Sequence, residues 1–388
     1  MENFDCVVVG GGMVGAASAL SLAHLGLRVA VIEHKLPRDF SPEQAFDLRV
    51  SAISLASQQL LEQLGAWQQI SQWRNCRYSR LGVWEKDSSY VEFNAKDIGE
   101  THLGHILENR LIQLSLWQKM QADDNITLYC PETLLGFEQS TEQVLVTLEQ
   151  GTITGKVLIA ADGAHSKVRQ LAGIGCTGWD YQQSAMLINV TTQCSQQDIT
   201  WQQFFETGPV AMLPMPGHNA SLVWYHHKEE IKRLQALSNQ QLAHEISGAF
   251  PERLGAIKVL AKGAFPLTRR HANQYVQQRV VLIGDAAHSI NPMAGQGVNL
   301  GFKDVKALQM VIASAIGNGE SWHSESTLKN YEGLRRKDNL MMMSTMDLLY
   351  AGFSHPSPLI KSIRNAGLML TNRLPWVKNK ALAYACGL

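Results

Sequence analysis

A short apolar run from Cys6 to Val9 leads into Gly10, Gly11, Gly12 and Gly15, and an apolar stretch of helical length follows from about Met13 to Leu25. Gly26 stops that stretch, and a second β-rich run extends from Arg28 to Glu33. Short run, glycine turn, longer run and short run predict strand, helix and strand, a βαβ unit. Helical patterning returns at about Ser54 to Leu64, ending at Gly65, and at about Asn109 to Gln121. Alternation at Gln143 to Glu149 and Thr152 to Ile159 predicts strands that lead into Ala160 and Asp162. Between Tyr181 and Tyr225 lie short runs rich in Thr, Trp, Phe and Val: Met186 to Thr191, Trp201 to Glu206 and Ser221 to Tyr225. They predict an antiparallel sheet forming a second domain. One charged helix, about Lys228 to Ser247, should follow, then a strand, Arg279 to Ile283, returning to the first domain. Beyond Asp285 the chain reads as mostly helical.

The 388 residues, 45% of them apolar, can bury a large core and suit about two domains. No repeat or pooled linker separates them, so one domain is expected to be discontinuous. Lys plus Arg equals Asp plus Glu at 34 each, which leaves no global basic field for nucleic acid. The six cysteines, Cys6, Cys76, Cys130, Cys176, Cys194 and Cys386, show no metal-ligand spacing and read as reduced thiols in a cytoplasmic protein without a metal site. The uncharged stretch from Cys6 to Ala23 imitates a membrane span or a signal peptide. Glu2 and Asp5 stand where a signal peptide carries positive charge, however, and the glycines interrupt the run.

Those glycines have a chemical reading. Gly10-Gly11-Gly12-Met13-Val14-Gly15 supplies G-x-G-x-x-G between a strand and a helix, and Glu33 ends the next strand about twenty residues on. Gly10 permits a tight turn, Gly12 lets the backbone approach a pyrophosphate, and Gly15 allows close packing of the helix. The helix N-terminus offers N–H groups and partial positive charge to phosphates, and Glu33 can accept from a ribose. The fingerprint alone does not separate FAD from NAD. A second strand, Val280 to Ile283, ends in Gly284-Asp285-Ala286-Ala287-His288 and continues through Pro292 and Gly295-Gln296-Gly297-Val298-Asn299. A carboxylate at the C-terminal end of such a strand can hold ribityl hydroxyls. Asp162-Gly163 by itself reads as a surface turn.

Taken together, these three motifs, with Ser166 and Arg169, resemble the single-component flavin aromatic hydroxylases. Within them the chain is similar over its whole length to the ubiquinone-biosynthesis hydroxylases, and most to those that install the last ring hydroxyl. Asp47 to Ser54, Val168 to Gly175, Ser221 to Tyr225, Gly263 to Ala272, Asp347 to Ser354 and Ala383 to Leu388 carry that likeness. The resemblance implies an α/β fold: a Rossmann-like FAD-binding domain, an interleaved antiparallel-sheet substrate domain and a helical C-terminus. The expected division is 1–75, 100–178 and 275–340 for FAD, 76–99 and 179–274 for substrate, and 341–388 as the helical end. It also implies that Asp162 serves FAD and NAD(P)H, and that Arg49 and Arg110 lie near FAD, where a planar guanidinium bridges phosphate oxygens. The alternative for each arginine is a solvated salt bridge.

The implied reaction forms a flavin C4a-hydroperoxide from molecular oxygen, and its distal oxygen attacks an electron-rich ring carbon of a polyprenyl benzoquinol. No catalytic Ser, Cys or Lys is required, and His288 reads as flavin-site architecture. His102, His105, His226, His227 and His271 read as surface or ordinary hydrogen-bonded residues. No second dinucleotide fingerprint is present, so NAD(P)H visits transiently or a partner protein reduces the flavin. Expected partners include other ubiquinone-biosynthesis proteins and a lipid carrier. After Asp347 the chain has no acidic residue but carries Lys361, Arg364, Arg373, Lys378 and Lys380. Peripheral contact with the inner face of the membrane and a basic face packed on the body are the two readings of that segment. Met341, Met342, Met343 and Met346 read as core packing before channel lining.

Overall fold

The computed structural model describes residues 2–195, 197–290, 297–355 and 357–388. Its first sheet runs in the order Val276–Gln277, Val280–Leu282, Gly151–Ala160, Glu2–Val9, Val29–Ile32 and Ile126–Tyr129, with Val144–Leu148 and Leu134–Gln139 branching from Gly151–Ala160. The opening strand is parallel to both neighbours, pairing Val8 with Ile159 and with Val31. Val7, Val8, Val31, Leu158 and Val281 are fully buried, as a parallel sheet covered on both faces requires. The Met13–Ala23 helix is buried from Gly15 to Ala23 and packs against the Asn109–Gln121 and Gly297–Gly317 helices. Its small residues, Ala16, Ala17 and Ala19, allow that close approach.

The second sheet has eight strands: His288–Ser289, Ile257–Ala272, Cys176–Thr192, Asn219–His227, Val210–Pro214, Ile199–Gln203, Arg80–Trp84 and Val91–Asn94. Ile199–Gln203 runs parallel to Arg80–Trp84, and the remaining pairs are antiparallel. One face packs Met186, Met212, Leu222 and Trp224 against Ile231, Leu234, Leu242 and Ile246 of two helices. The expected single helix from Lys228 to Ser247 is therefore two, Lys228–Ala236 and Asn239–Ala249. Ser238 breaks it: its side chain accepts from the Gln241 backbone N–H while the Gln241 side chain accepts from the Ser238 N–H, a capping box.

A third sheet joins Val50–Ser54, Gly104–Glu108 and Asn75–Tyr78. The 30-residue Glu325–Ser354 helix crosses from the first sheet to the second and spans the 340/341 boundary expected from sequence. Met342 and Met343 are buried beside Ile290 and Leu300, which is the packing role, whereas Met341 is exposed. All six cysteines are free thiols. Among the described residues no helix is long and apolar enough to cross a membrane.

Replacing Ser238 with Ala removes the helix cap and should lower stability by about 1 kcal/mol in a denaturant melt, leaving bound flavin unchanged.

Candidate cofactor site

The glycine turn is built by contacts that only glycine permits. Gly10 has φ +101°, and a Cβ there would lie 2.5 Å from the Ala161 carbonyl oxygen. At Gly15 a Cβ would come within 1.9 Å of the Gly10 oxygen. At Gly12 it would meet nothing within 4 Å, so the space before the helix is open. No side-chain hydrogen bond caps the Met13–Ala23 helix there among the described residues, and its first N–H groups face that space.

Gly11 is clamped from both sides. Its N–H donates to Glu33 Oε2 at 2.6 Å, and its carbonyl accepts from Gln113 Nε2 at 2.9 Å and Trp117 Nε1 at 2.6 Å. Glu33 is buried, and its second oxygen accepts from the Lys35 N–H at 3.1 Å. Glu33, Arg38, Asp47, Arg110 and Gln113 share the wall of a cavity of about 410 Å³. Arg110 is held at its rim by Asp47 Oδ2 at 2.8 Å and by the carbonyls of Arg38 and Asp39 at 2.7 and 3.1 Å. The ion-pair reading of Arg110 and its place beside Glu33 therefore hold together.

The second motif lies against the first. Gly284 has φ +57°, and both Gly284 and Gly301 abut the Val14 side chain. The Asp285 side chain is reached by solvent, yet so many protein atoms surround it that desolvation raises its pKa, with His288 and Arg49 opposing. Asp285 is therefore a carboxylate open to solvent yet crowded by protein. Arg49, itself exposed, faces it.

Behind the turn, the Asp304 carboxylate is fully buried. It accepts from Gly284 N–H at 3.0 Å, His288 Nε2 at 2.5 Å, Arg335 Nε at 2.8 Å and Asn339 Nδ2 at 3.2 Å. Burial would raise its pKa, but His288 and Arg335 outweigh that and hold it below the usual carboxylate range. His288 is thus architectural. Asn339 also donates to the Tyr275 hydroxyl, which lies 2.9 Å from His271 Nε2.

The Asp162 loop joins these parts. Asp162 Oδ2 accepts from the Val168 N–H at 3.1 Å, while its Oδ1 is buried with no hydrogen-bond partner among the described residues. Arg169 ties the loop to the Gly284 turn, donating to the Ala286 carbonyl at 2.7 Å and the Ala164 carbonyl at 2.9 Å. Asn299 uses its side chain on Ala52, Ser54 and Ser57, and Met13 and Val298 pack on the core. Gly297 opens its helix. Pro292, Gly295 and Gln296 lie outside the described residues.

An uncapped helix N-terminus, open space at Gly12, a wet carboxylate at Asp285 and an unpartnered buried Asp162 oxygen fit a dinucleotide laid across the end of the first sheet. Sequence reasoning missed Gln113, Trp117, Asp304, Arg335 and Asn339. Gln113 and Trp117 stand one turn apart on a predicted helix, but nothing local tells which loop that face meets.

Fold and cleft define a dinucleotide-binding flavoprotein with a second, antiparallel sheet beside the cofactor. Residues 3–343 match the FAD-binding-domain family, and the chain belongs to it as an FAD-dependent monooxygenase. It is 47% identical to the 3-demethoxyubiquinol 3-hydroxylase of Escherichia coli K12, over 99% of this chain and 98% of that one. It is 32% identical to the ubiquinone biosynthesis monooxygenase COQ6 of Danio rerio, over 99% and 90%. Among solved structures, the p-nitrophenol 4-monooxygenase PnpA of Pseudomonas putida superposes with a TM-score of 0.80 at 20% identity, covering 98% of this chain and 97% of that one, a likeness of fold.

Gly12→Ala should leave the thermal midpoint of the flavin-free protein unchanged but weaken FAD binding by about tenfold or more in a fluorescence titration. Gly15→Ala should instead yield little folded protein, because its methyl group collides with backbone.

Burial, with the positive charges of His288, Arg336 and Arg269, lowers the His271 pKa from 6.5 to about 4. Between those values the unfolded chain binds a proton that the native chain refuses, so stability falls as pH drops from 6.5 to 4. The thermal midpoint should decline across that window, and less steeply in His271→Phe.

Proposed function

We propose that this monooxygenase hydroxylates the ring of a polyprenylated benzoquinol in ubiquinone biosynthesis, at the demethoxyubiquinol step. The observation that carries the reading is the 47% identity to an enzyme named for that step, maintained over nearly the whole of both chains. The second sheet supports it physically. Leu187, Ala211, Val223 and Gly263 are only half-buried, although they sit mid-sheet and directly opposite one another across the strands. Residues on the reverse face, such as Met186 and Leu222, are fully buried. The sheet thus offers an apolar floor that the Lys228–Ala236 and Asn239–Ala249 helices do not cover and that Phe353 and Met346 of the Glu325–Ser354 helix meet only in part, at Val223 and Phe265.

The Phe46 to Arg49 segment links that floor to the cofactor cleft. Asn189 on the sheet donates to the Phe46 and Asp47 carbonyls at 3.3 and 3.1 Å, Leu48 abuts Gly263, and Arg49 faces Asp285. We assign the first sheet to FAD and the second to the quinol. Gly10, Gly12 and the helix N-terminus, with the N–H groups of Met13, Val14 and Gly15, receive the pyrophosphate. Glu33 meets a ribose, Arg110 and Arg49 face phosphate oxygens, and Asp285 takes the ribityl hydroxyls. Asp162, Gly284, Gly297, Val298 and Asn299 complete the cradle, and Pro292, Gly295 and Gln296, which lie outside the described residues, are assigned to the same motif. Bound FAD, reduced by NAD(P)H or a partner protein, supplies the activation of molecular oxygen. The apolar floor orients the ring and keeps water from it. A long isoprenoid tail makes this substrate bilayer-soluble, so the enzyme receives it at a membrane surface or from a lipid-carrying partner.

Deleting the gene in its native host and identifying prenylated precursors by mass spectrometry tests the assignment. The demethoxy precursor should accumulate. Accumulation of an earlier precursor would reassign the ring position, and normal quinone levels would remove the pathway.

A further inference from the structure

The Pro358–Arg373 helix is amphipathic the wrong way round for a protein surface, and the helices on either side of it also expose large apolar side chains. In the Pro358–Arg373 helix the polar side chains face the body. Arg364 and Asn365 bind Glu85, Lys361 pairs with Glu206, and Asn372 donates to the Tyr90 carbonyl at 2.8 Å. The apolar stripe at Leu359, Ile363, Ala366 and Leu370 points outward, with Leu359 69% and Ile363 63% exposed. The spacing of four, three and four residues puts that stripe on one helix face.

The Glu325–Ser354 helix buries Leu328, Tyr331, Met342, Met343 and Phe353 but also exposes large apolar side chains on its other side. Arg335 and Asn339 reach in to Asp304, and Asp347 pairs with Arg269 at 2.7 Å, while Leu334, Met341 and Leu348 face outward. In the Pro375–Cys386 helix Lys378 pairs with Asp97 at 3.0 Å and Trp376 is 70% exposed. Of the 20 large hydrophobic residues that the described surface exposes, 12 lie between Leu334 and Leu388, so the apolar surface is concentrated here. A concentration of this kind marks an interaction surface and not the scatter found on any protein.

Charge selects the occupant. Three of the five basic residues after Asp347 are spent on ion pairs with the body, so no broad basic face remains. Arg373 ends the striped helix and is exposed, Lys380 and Lys337 are exposed on the helices after and before it, and no Asp or Glu follows Asp347. Apolar side chains flanked by a few cations, with a tryptophan at one end, match the interface of an anionic bilayer.

We infer that the outward faces of the last three helices form a docking surface that seats this enzyme on an anionic lipid bilayer, driven by apolar insertion and guided by Arg373 and Lys380. Its purpose, access to a bilayer-soluble quinol, rests on the proposed function; its geometry does not.

The test is flotation of the FAD-loaded full chain with vesicles of phosphatidylethanolamine and phosphatidylglycerol at low salt. The wild type should co-float, and a triple variant, Leu359→Glu with Ile363→Glu and Leu370→Glu, should partition at least about tenfold less. Its flavin content and thermal midpoint should be unchanged, because none of the three side chains is buried. Arg373→Glu with Lys380→Glu should abolish the preference for these vesicles over pure phosphatidylcholine. A wild type that ignores the vesicles overturns the inference, as does a triple variant that binds them equally well. So does a wild-type dimer that the triple substitution dissociates without any vesicle binding, since a second copy would then cover the face. Turnover of a short-tailed, water-soluble quinol should be equal in wild type and triple variant. Its absence in both would count against the proposed substrate and leave the vesicle result standing.

Discussion

The carboxylate of Asp304 organises this molecule. It has no access to solvent, and it is satisfied by four donors from two segments: Gly284 and His288 of one turn, and Arg335 with Asn339 of the Glu325–Ser354 helix. A buried carboxylate is tolerated only when fully hydrogen-bonded and paired, and removing one partner of such a pair typically costs 3–5 kcal/mol. The arrangement therefore demands that the Gly284 turn, the Gly297–Gly317 helix and the Glu325–Ser354 helix keep fixed relative positions. Asp285 is one residue from the clamped Gly284 N–H. Its geometry is thus set from behind, by residues that do not line the cleft.

The front of the cleft follows the same logic with a different device. Gly11 is held by Glu33, Gln113 and Trp117, so a loop with no side chain of its own is made rigid by three borrowed ones. Glu33 serves the turn with both oxygens, one on the Gly11 N–H and the other on the Lys35 N–H beside His34. Pre-organised donors bind a phosphate without first having to be ordered, which is the physical advantage of so much hydrogen bonding behind an open surface.

What could be read from sequence divides along one physical line. Features set by neighbours in the chain were legible: the glycine turn, the Asn109–Gln121 helix, whose bounds agree with the structure, and Asp285 at the end of a strand. The break at Ser238 was also written locally, in a Ser-x-x-Gln pattern, but the surrounding charge periodicity masked it. Features that need distant partners were not legible. Asp304 is one acid on a helix until Arg335 and Asn339 arrive from another, and Asp47 marks Arg110 as a rim residue only in three dimensions. The C-terminal helices show a subtler limit. Periodicity identifies which residues share a face, yet both faces of the Pro358–Arg373 helix could have been the inner one. Glu85 and Glu206, far back in the chain, chose the polar side.

The opening strand has a further consequence for how the protein comes into being. Glu2–Val9 lies in the middle of the first sheet, between Val29–Ile32 and Gly151–Ala160, and the latter in turn pairs with Val280–Leu282. During synthesis the Glu2–Val9 strand and its helix emerge well before residues 151–160 and lack a partner on one side until residue 160 is available, and the sheet lacks its Val280–Leu282 neighbour until residue 282 has been made. Long-range parallel pairing is slow to form and leaves apolar edges exposed in the meantime. The early strand must therefore wait with one edge unpaired for segments translated much later, and the flavin pocket takes shape only once the Gly284 turn has joined it.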